Sequence, residues 1–320
     1  HKRMEKIDKS RFAWVGADPE RREGIARPSV TYWKDAMNRL LKNKVAVVCL
    51  AIIVLLILSC VIVPFLVPFE SREQHLAETY LGFFAPCTDS RYEGQNLVHV
   101  FGTDSLGRDL LVRAFEGGRV SLMIAFSAVF VNLIIGMIYG GISGYFGGMV
   151  DNIMMRIVEV VNGIPYLIVV VLLMMVLPKG IFTMVVAYAT VGWTGMARLV
   201  RGQCLALKNQ EFVVAAEAMG AKASRIIGKH LLPNTVSILI LNLCSSIPSY
   251  IFTEASLSFL GMGLSSDVIS LGVLISQGKA KMDFYPWQLF FPAAVLCIAV
   301  LAFNLLGDGL RDALDPRTIE

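Results

Sequence analysis

Residues 211–233 read EFVVAAEAMGAKASRIIGKHLLP, a polar-studded stretch lying between two long apolar runs. Asn209 is placed to cap a short helix, and Glu211 falls in its first turn, where a carboxylate complements the helix dipole. Phe212, Ala215, Ala216 and Met219 recur at helical spacing and predict one small apolar face. Gly220 stops or bends that helix, Ser224 starts a second one carrying Ile226, Ile227, His230 and Leu231, and Pro233 ends it. The pattern predicts a protruding elbow of two short amphipathic helices, with small residues where another protein can approach closely. An ordinary amphipathic surface loop is the plain alternative.

Outward from the elbow the chain becomes too apolar for a soluble domain. Of 320 residues 55% are hydrophobic and only 17% charged, and the mean hydropathy is +0.63, which places the protein in a bilayer. The expected fold is an all-α membrane protein with six transmembrane helices and both termini cytoplasmic. Val45–Val67 is the first span: seventeen of its 23 residues are Val, Ile, Leu or Phe. It is too long for a removed signal peptide and lacks a small-residue cleavage site. Further spans are expected at 120–142, at 157–177 with a kinked body, from 181 to about 197, at 235–260 and at 288–306. Between spans, GYFGG at 144–148 reads as a tight turn, and the run 269–275 as a half-helix that re-enters the outer surface.

Charge orients the bundle. The tail 1–44 holds twelve Lys/Arg, the stretch 198–233 six and the C-terminal end two, against seven on the segments expected outside. The positive-inside rule therefore puts the elbow in the cytoplasm and the polar segment 68–118 outside. By this reading, residues 1–44 form a cytoplasmic tail with an interfacial helix around Trp33–Leu41. Residues 119–310 form the membrane core with its loop 209–233, and 311–320 a cytoplasmic end. The mild charge of +4 gives no reason to expect a nucleic-acid partner.

Few residues invite chemistry. GTDSLGRD at 102–109 reads as a turn and capped helix, with Thr103, Asp104 or Ser105 as the cap, because no activated partner is spaced near its acids. Six cysteines fall mostly in apolar runs, so no disulfide is expected, and no Cys/His spacing suggests a metal. Glu254, in the fifth apolar run, is expected to face the protein interior, water or the outer interface, since a carboxylate near the bilayer centre is costly. Asn162, Ser245, Ser249 and Thr253 are candidate lining residues of a polar path. Hydrogen bonding between helices is the competing account of each.

The elbow's spacing resembles the EAA loop of bacterial ABC importer permeases. Ala215, Ala216, Gly220, Leu232 and Pro233 fit that loop, while Val214 takes its first place, with Glu211 three residues earlier, and His230 stands where Ile is usual. GTDSLGRD, GGRVSL at 117–122, GYFGG with Asp151 and Arg156, KHLLPN, TEASLSFLGMGL at 253–264, YPWQLFFP at 285–292 and LLGDGLRDALDPR follow in order. In this order they resemble the OppC/DppC-like permease subunits of oligopeptide and dipeptide ABC importers.

The resemblance implies a type I ABC importer permease working by alternating access in the bacterial inner membrane. Its implied partners are an OppB-like second permease, two ATPase subunits and an extracytoplasmic peptide-binding protein. It also implies an ATPase-coupling role for Glu211, Phe212, Ala215, Ala216, Met219, Gly220, His230 and Pro233. The chain lacks the phosphate-cradling pattern G-x-x-x-x-G-K-[ST], so it is expected to be a non-catalytic subunit without a cofactor. A permease for nickel chelates or another small solute shares the same signatures. A membrane hydrolase would need a catalytic set at one depth, which Glu159 and Glu254 do not supply, and a secondary transporter would ordinarily show internal repeats and paired intramembrane charges.

Overall fold

The computed structural model describes residues 32–92 and 96–314, and these are mostly helical, the segment 67–109 being the main exception. Helix α1 (Tyr32–Lys42) is an amphipathic lead-in whose Ala36 and Leu40 are buried. It is followed by α2 (Lys44–Leu66), started by Asn43, whose Oδ1 accepts from the backbone N–H of Val45 and Ala46 at 3.1 and 3.2 Å. Helix α2 coincides within a residue with the first apolar run. Val48, Val54, Leu55, Leu58, Val61 and Ile62 all point outward from it, an arrangement that suits lipid or another subunit and not water.

The polar segment that follows ends in two glycine bends, Gly102 at φ +77° and Gly107 at φ +71°. These keep the chain from entering a helix at Thr103, Asp104 or Ser105. Asp104 caps the bend instead, its Oδ1 accepting from Leu106 and Arg108 N–H at 2.8 and 3.0 Å. The helix cap is Asp109, accepting from Val112 N–H at 2.9 Å. From there α3 (Leu110–Phe146) runs for 37 residues, about 55 Å at 1.5 Å per residue, so it extends well beyond a hydrocarbon core of about 30 Å. Gly147 and Gly148, both at positive φ, turn the chain into α4 (Gly148–Asn162).

Helix α5 (Tyr166–Val176) continues α4 after a 72° bend. Gly163 and Pro165 cause it, since Pro165 has no N–H for the ladder and its ring disfavours a helical Ile164. Helix α6 (Ile181–Val191) closes at Gly192, and α7 (Trp193–Lys208) begins there. The expected fourth span therefore breaks five residues before Ala197. A Cβ on Gly192 would lie 2.3 Å from Tyr250 Oη and 2.5 Å from Asn132 Nδ2, so α3 and the later helix that carries Tyr250 approach the chain closely at this break.

Helix α8 (Glu211–Ala218) and α9 (Ala223–Ile226) form the elbow, and a wide turn over Ile227–Leu231 joins α9 to α10 (Leu232–Phe259). Helix α11 (Leu271–Lys279) is the half-helix, two residues later at its start than the apolar run suggested, because Ser270 caps it by accepting from Val273 N–H at 3.2 Å. The last helix, α12 (Trp287–Leu314), continues past Leu306 through the charged GDGLRDAL. Among the described residues, four stretches are long and apolar enough to cross a membrane: α2, α3, the continuous stretch Ala223–Phe259 and α12. The bent pair α4–α5 makes a fifth, and α6 is a shorter apolar helix of eleven residues.

Helices α3 and α10 join the packing. One face of α3 gives Leu122, Ala125 and Val129 to a core with Ile53 of α2, Ile251 of α10 and Phe303 of α12. Another gives Ile124 and Ala128 to a core with Met174 of α5, Met184 and Tyr188 of α6 and Leu257 of α10. Toward its end, Gly136, Gly140 and Gly144, one per turn, leave α3 without a side chain at its closest approaches to α7. Added Cβ atoms there would stand 2.5 Å from Met196 Cβ, 2.4 Å from Ala197 O and 2.6 Å from Cys204 Cβ. Such small-residue stripes let membrane helices meet backbone to backbone.

Candidate coupling elbow and polar helix face

Helix α7 runs to Lys208 and uses Asn209 as its own C-cap, so Asn209 is not available to start α8. Gln210 precedes α8 with extended backbone and no side-chain cap. The helix ends in two linked bonds, Gly220 N–H to Glu217 O at 2.9 Å and Ala221 N–H to Ala216 O at 3.0 Å. Gly220 at φ +78° makes them possible, since a left-handed residue is needed to turn both N–H groups back.

The expected apolar face divides. Phe212, Ala215 and Met219 point outward, with Met219 81% exposed and Phe212 42%. Ala216 turns inward beside Val213 and packs with Cys204, Ile226 and Leu231. At about 100° per residue, positions 212, 215 and 219 share one side, and 216 lies about 40° round from 212 toward 213. Glu211 is exposed, and the half-buried His230 brings its ring to 6.5 Å from that of Phe212. Pro233 does not end the second arm. It sits in the first turn of α10, and the turn before it widens so that Leu232 N–H bonds back five residues to Ile227 O. Its missing N–H is tolerated there, and the arm runs on into α10.

The elbow is thus continuous with α7 through one short link and with α10 through helix. Cys204 of α7 and Leu239 of α10 share its core, and a Cβ on Gly141 of α3 would lie 3.1 Å from Ile227 Cγ2. Two polar ties fix the neighbouring turn: Lys208 Nζ donates to Tyr145 O at 2.6 Å, and Arg201 Nη2 to Asp151 Oδ2 at 2.6 Å, with Ser143 Oγ also donating to Asp151. The elbow therefore shares one packed core with α7 and α10.

Ser245, Ser249 and Thr253 recur every four residues on one side of α10. Their hydroxyls donate to carbonyls one turn back in the same helix, Leu241, Ser245 and Ser249, at 3.2, 3.3 and 2.7 Å. None of these bonds reaches another helix. Ser245 and Ser249 are exposed, and Ser245 lies in a recess with Asn242, Asp308 and Arg311. Asn162 belongs elsewhere: at the end of α4, its Oδ1 accepts from Thr194 Oγ1 of α7 at 2.9 Å, a bond between helices.

Glu254 is fully buried, the interior option of the three that its position left open. Its carboxylate accepts from Ser121 of α3 and Ser270 before α11 at 2.7 Å each, and from Ser258 at 3.1 Å. Ser121 Oγ accepts in turn from Leu271 N–H at 3.2 Å. This carboxylate ties three helices together. The serine at each contact was visible in the sequence, but the distance along the chain between Ser121 and Glu254 hid their meeting.

Residues 121–320 match the family described as binding-protein-dependent transport system inner membrane component, and residues 31–86 match the N-terminal TM domain of oligopeptide transport permease C. The chain belongs to the first of these families, and is a multi-pass protein of the bacterial inner membrane. It is 44% identical to the oligopeptide transport system permease protein OppC of Bacillus subtilis, over 98% of this chain and 99% of that protein. It is 46% identical to the dipeptide transport system permease protein DppC of the same organism, over 92% and 89%, and 41% identical to OppC of Escherichia coli K12, over 89% and 91%. Within the family it is an OppC/DppC-like ABC permease subunit.

Proposed function

We propose that this chain is one of two permease subunits of an ATP-driven importer for oligopeptides or dipeptides, with six spans and both ends in the cytoplasm. An OppB-like permease supplies the other half of the path, two ATPase subunits grip the cytoplasmic elbows, and an extracytoplasmic binding protein delivers the peptide. The observation that carries this reading is the outward face of Phe212, Ala215 and Met219 on an elbow rooted in both α7 and α10. An apolar patch held on a rigid arm suits a groove in a partner protein.

Closure of the ATPase pair on ATP draws the two elbows together, α7 and α10 follow, and the path opens outward. Hydrolysis and release return it inward. The stripe Ser245, Ser249 and Thr253 lines the path, since it faces away from the subunit's core. Its short hydroxyls, satisfied within their own helix, leave a polar wall without demanding one cargo side chain. Selectivity then rests mainly with the binding protein.

The test is co-purification in mild detergent with the proteins encoded beside this chain, followed by ATP hydrolysis with added binding protein. Recovery of a second permease and ATPase subunits, with hydrolysis stimulated by the peptide-loaded binding protein, is the expected outcome. Stimulation by a nickel-chelate-loaded protein in place of the peptide-loaded one refutes the cargo and keeps the architecture. Absence of any ATPase partner refutes both.

A further inference from the structure

The polar segment between α2 and α3 gathers three metal-ligand side chains that lie far apart in sequence. Glu78 ends a single turn of 3-10 helix at Leu76–Glu78, Cys87 follows strand β1 (Ala85–Pro86), and His99 closes strand β2 (Val98–His99). The strands pair antiparallel with Ala85 opposite His99 and Pro86 opposite Val98, so Cys87, two residues beyond Ala85, shares a face with His99 and lies diagonally across the pair from it. Glu78 Oε2 lies 3.3 Å from His99 Nε2 and 3.8 Å from Cys87 Sγ, and the three donor atoms are all within 4.8 Å of one another.

We propose that Glu78, Cys87 and His99 bind a zinc-like divalent transition metal ion in the segment that leads into α3. Zinc bonds of about 2.0 Å to N and O and about 2.3 Å to S, arranged tetrahedrally, set N···O near 3.3 Å and O···S near 3.5 Å. The spacings found are within a few tenths of an ångström of those. The neighbouring groups hold the ligands as such a site requires. Asp109 Oδ2 accepts from His99 Nδ1 at 2.7 Å, which fixes the tautomer that leaves Nε2 free to ligate. Glu78 Oε1 is occupied by the N–H of Thr88, the Thr88 hydroxyl and the N–H of Asp89, so Oε2 is the oxygen presented.

Charge fits as well. A divalent ion, one carboxylate and one thiolate form a neutral set around an imidazole, while Asp109 is held separately by the start of α3. Binding releases the thiol proton to water. A carboxylate, a thiolate and an imidazole favour zinc over calcium or magnesium, which take oxygen ligands. Glu78 and His99 are buried while Cys87 keeps partial exposure, which leaves a side for ion entry and for a water as fourth ligand. The ion would staple the segment to the N-terminus of α3 through the Asp109–His99 pair.

The test uses the full-length chain with its co-purifying subunits, given zinc, washed in metal-free buffer and analysed for metal. About one zinc per chain is expected, with at least a tenfold loss in Cys87→Ser and in His99→Gln. Retention is expected in Cys297→Ser, which changes an exposed cysteine elsewhere. Less than about a tenth of an ion per wild-type chain after incubation with zinc, or full retention in Cys87→Ser, overturns the site. Because a variant can fail to fold, wild-type Cys87 is also labelled with a maleimide with and without a chelator. Labelling that rises at least tenfold on chelation supports the site, and labelling indifferent to chelation overturns it. Neither readout depends on the cargo or on which side of the membrane the segment lies.

Discussion

Replacing Gly140 by alanine adds one methyl group where α3 and α7 touch. The new Cβ would lie 2.4 Å from Ala197 O, 2.8 Å from Val200 Cβ and 3.0 Å from the Arg201 backbone N. Two of these neighbours are backbone atoms, so no side-chain rotation relieves the contact. Restoring an ordinary separation of about 3.4 Å moves α7 outward by about 1 Å, and overpacking of this kind costs about 1–3 kcal/mol. Alanine's better helix propensity returns about 1 kcal/mol, for a net destabilisation of roughly 0–2 kcal/mol. Gly202→Ala on α7 is the matched control, because nothing lies within 4 Å of its Cβ, so that variant keeps only the propensity gain. The assay is thermal unfolding of the purified complex in detergent, together with peptide uptake into vesicles. Gly140→Ala should melt below wild type and transport more slowly, since the elbow rides on α7, while Gly202→Ala should melt at or above wild type. Equal melting of both variants at or above wild type would refute the close helix contact and the transmission route built on it.

Gly220→Trp should uncouple transport from ATP hydrolysis while the protein still reaches the membrane at normal levels. Gly220→Ala meets no neighbour within 4 Å and loses only about 1–2 kcal/mol through its left-handed backbone, so comparing uptake and expression of the two separates surface bulk from strain. Equal uptake by the Gly220→Trp variant and wild-type protein would count against the elbow's role. Glu254→Ala removes the acceptor shared by three hydroxyls, with an expected destabilisation of about 1–3 kcal/mol read as a lower melting temperature and faster proteolysis before α11. An unchanged melting temperature would show the tie to be energetically idle. Ser249→Leu should slow peptide uptake several-fold with stability within about 0.5 kcal/mol of wild type, as for an exposed position; unchanged uptake would remove that face from the path.

The long apolar helices were legible because eighteen or more apolar residues leave little alternative, and α2 departs by a single residue from its expected bounds. Where the reading slipped, a local rule lost to a neighbour. Asn209 is a good N-cap residue, but α7 had not yet ended. Thr103 and Asp104 precede an apolar run, but Gly107 bends the chain before a helix can begin. Pro233 ordinarily marks a helix end, yet one wide turn accommodates it at the start of α10. Ala216 lay on the expected apolar face by spacing, and burial against Cys204 and Leu231 decided its side. The outward placement of Phe212 and Met219 and the polar row on α10 follow from periodicity. The bond from Asn162 to Thr194, the serine cluster around Glu254 and the meeting of Glu78, Cys87 and His99 are long-range, and no window along the chain contains them.

The most direct test of the coupling account is a cross-link from the tip of the elbow. Met219→Cys, in a Cys297→Ser background, is treated in the intact complex with a short bismaleimide, and the adduct is identified by mass spectrometry. The account predicts a covalent product with an ATP-binding subunit, at a yield that changes when ATP replaces the nucleotide-free state. A thiol introduced at position 219 that labels freely with a monofunctional maleimide but never joins an ATPase subunit would contradict it.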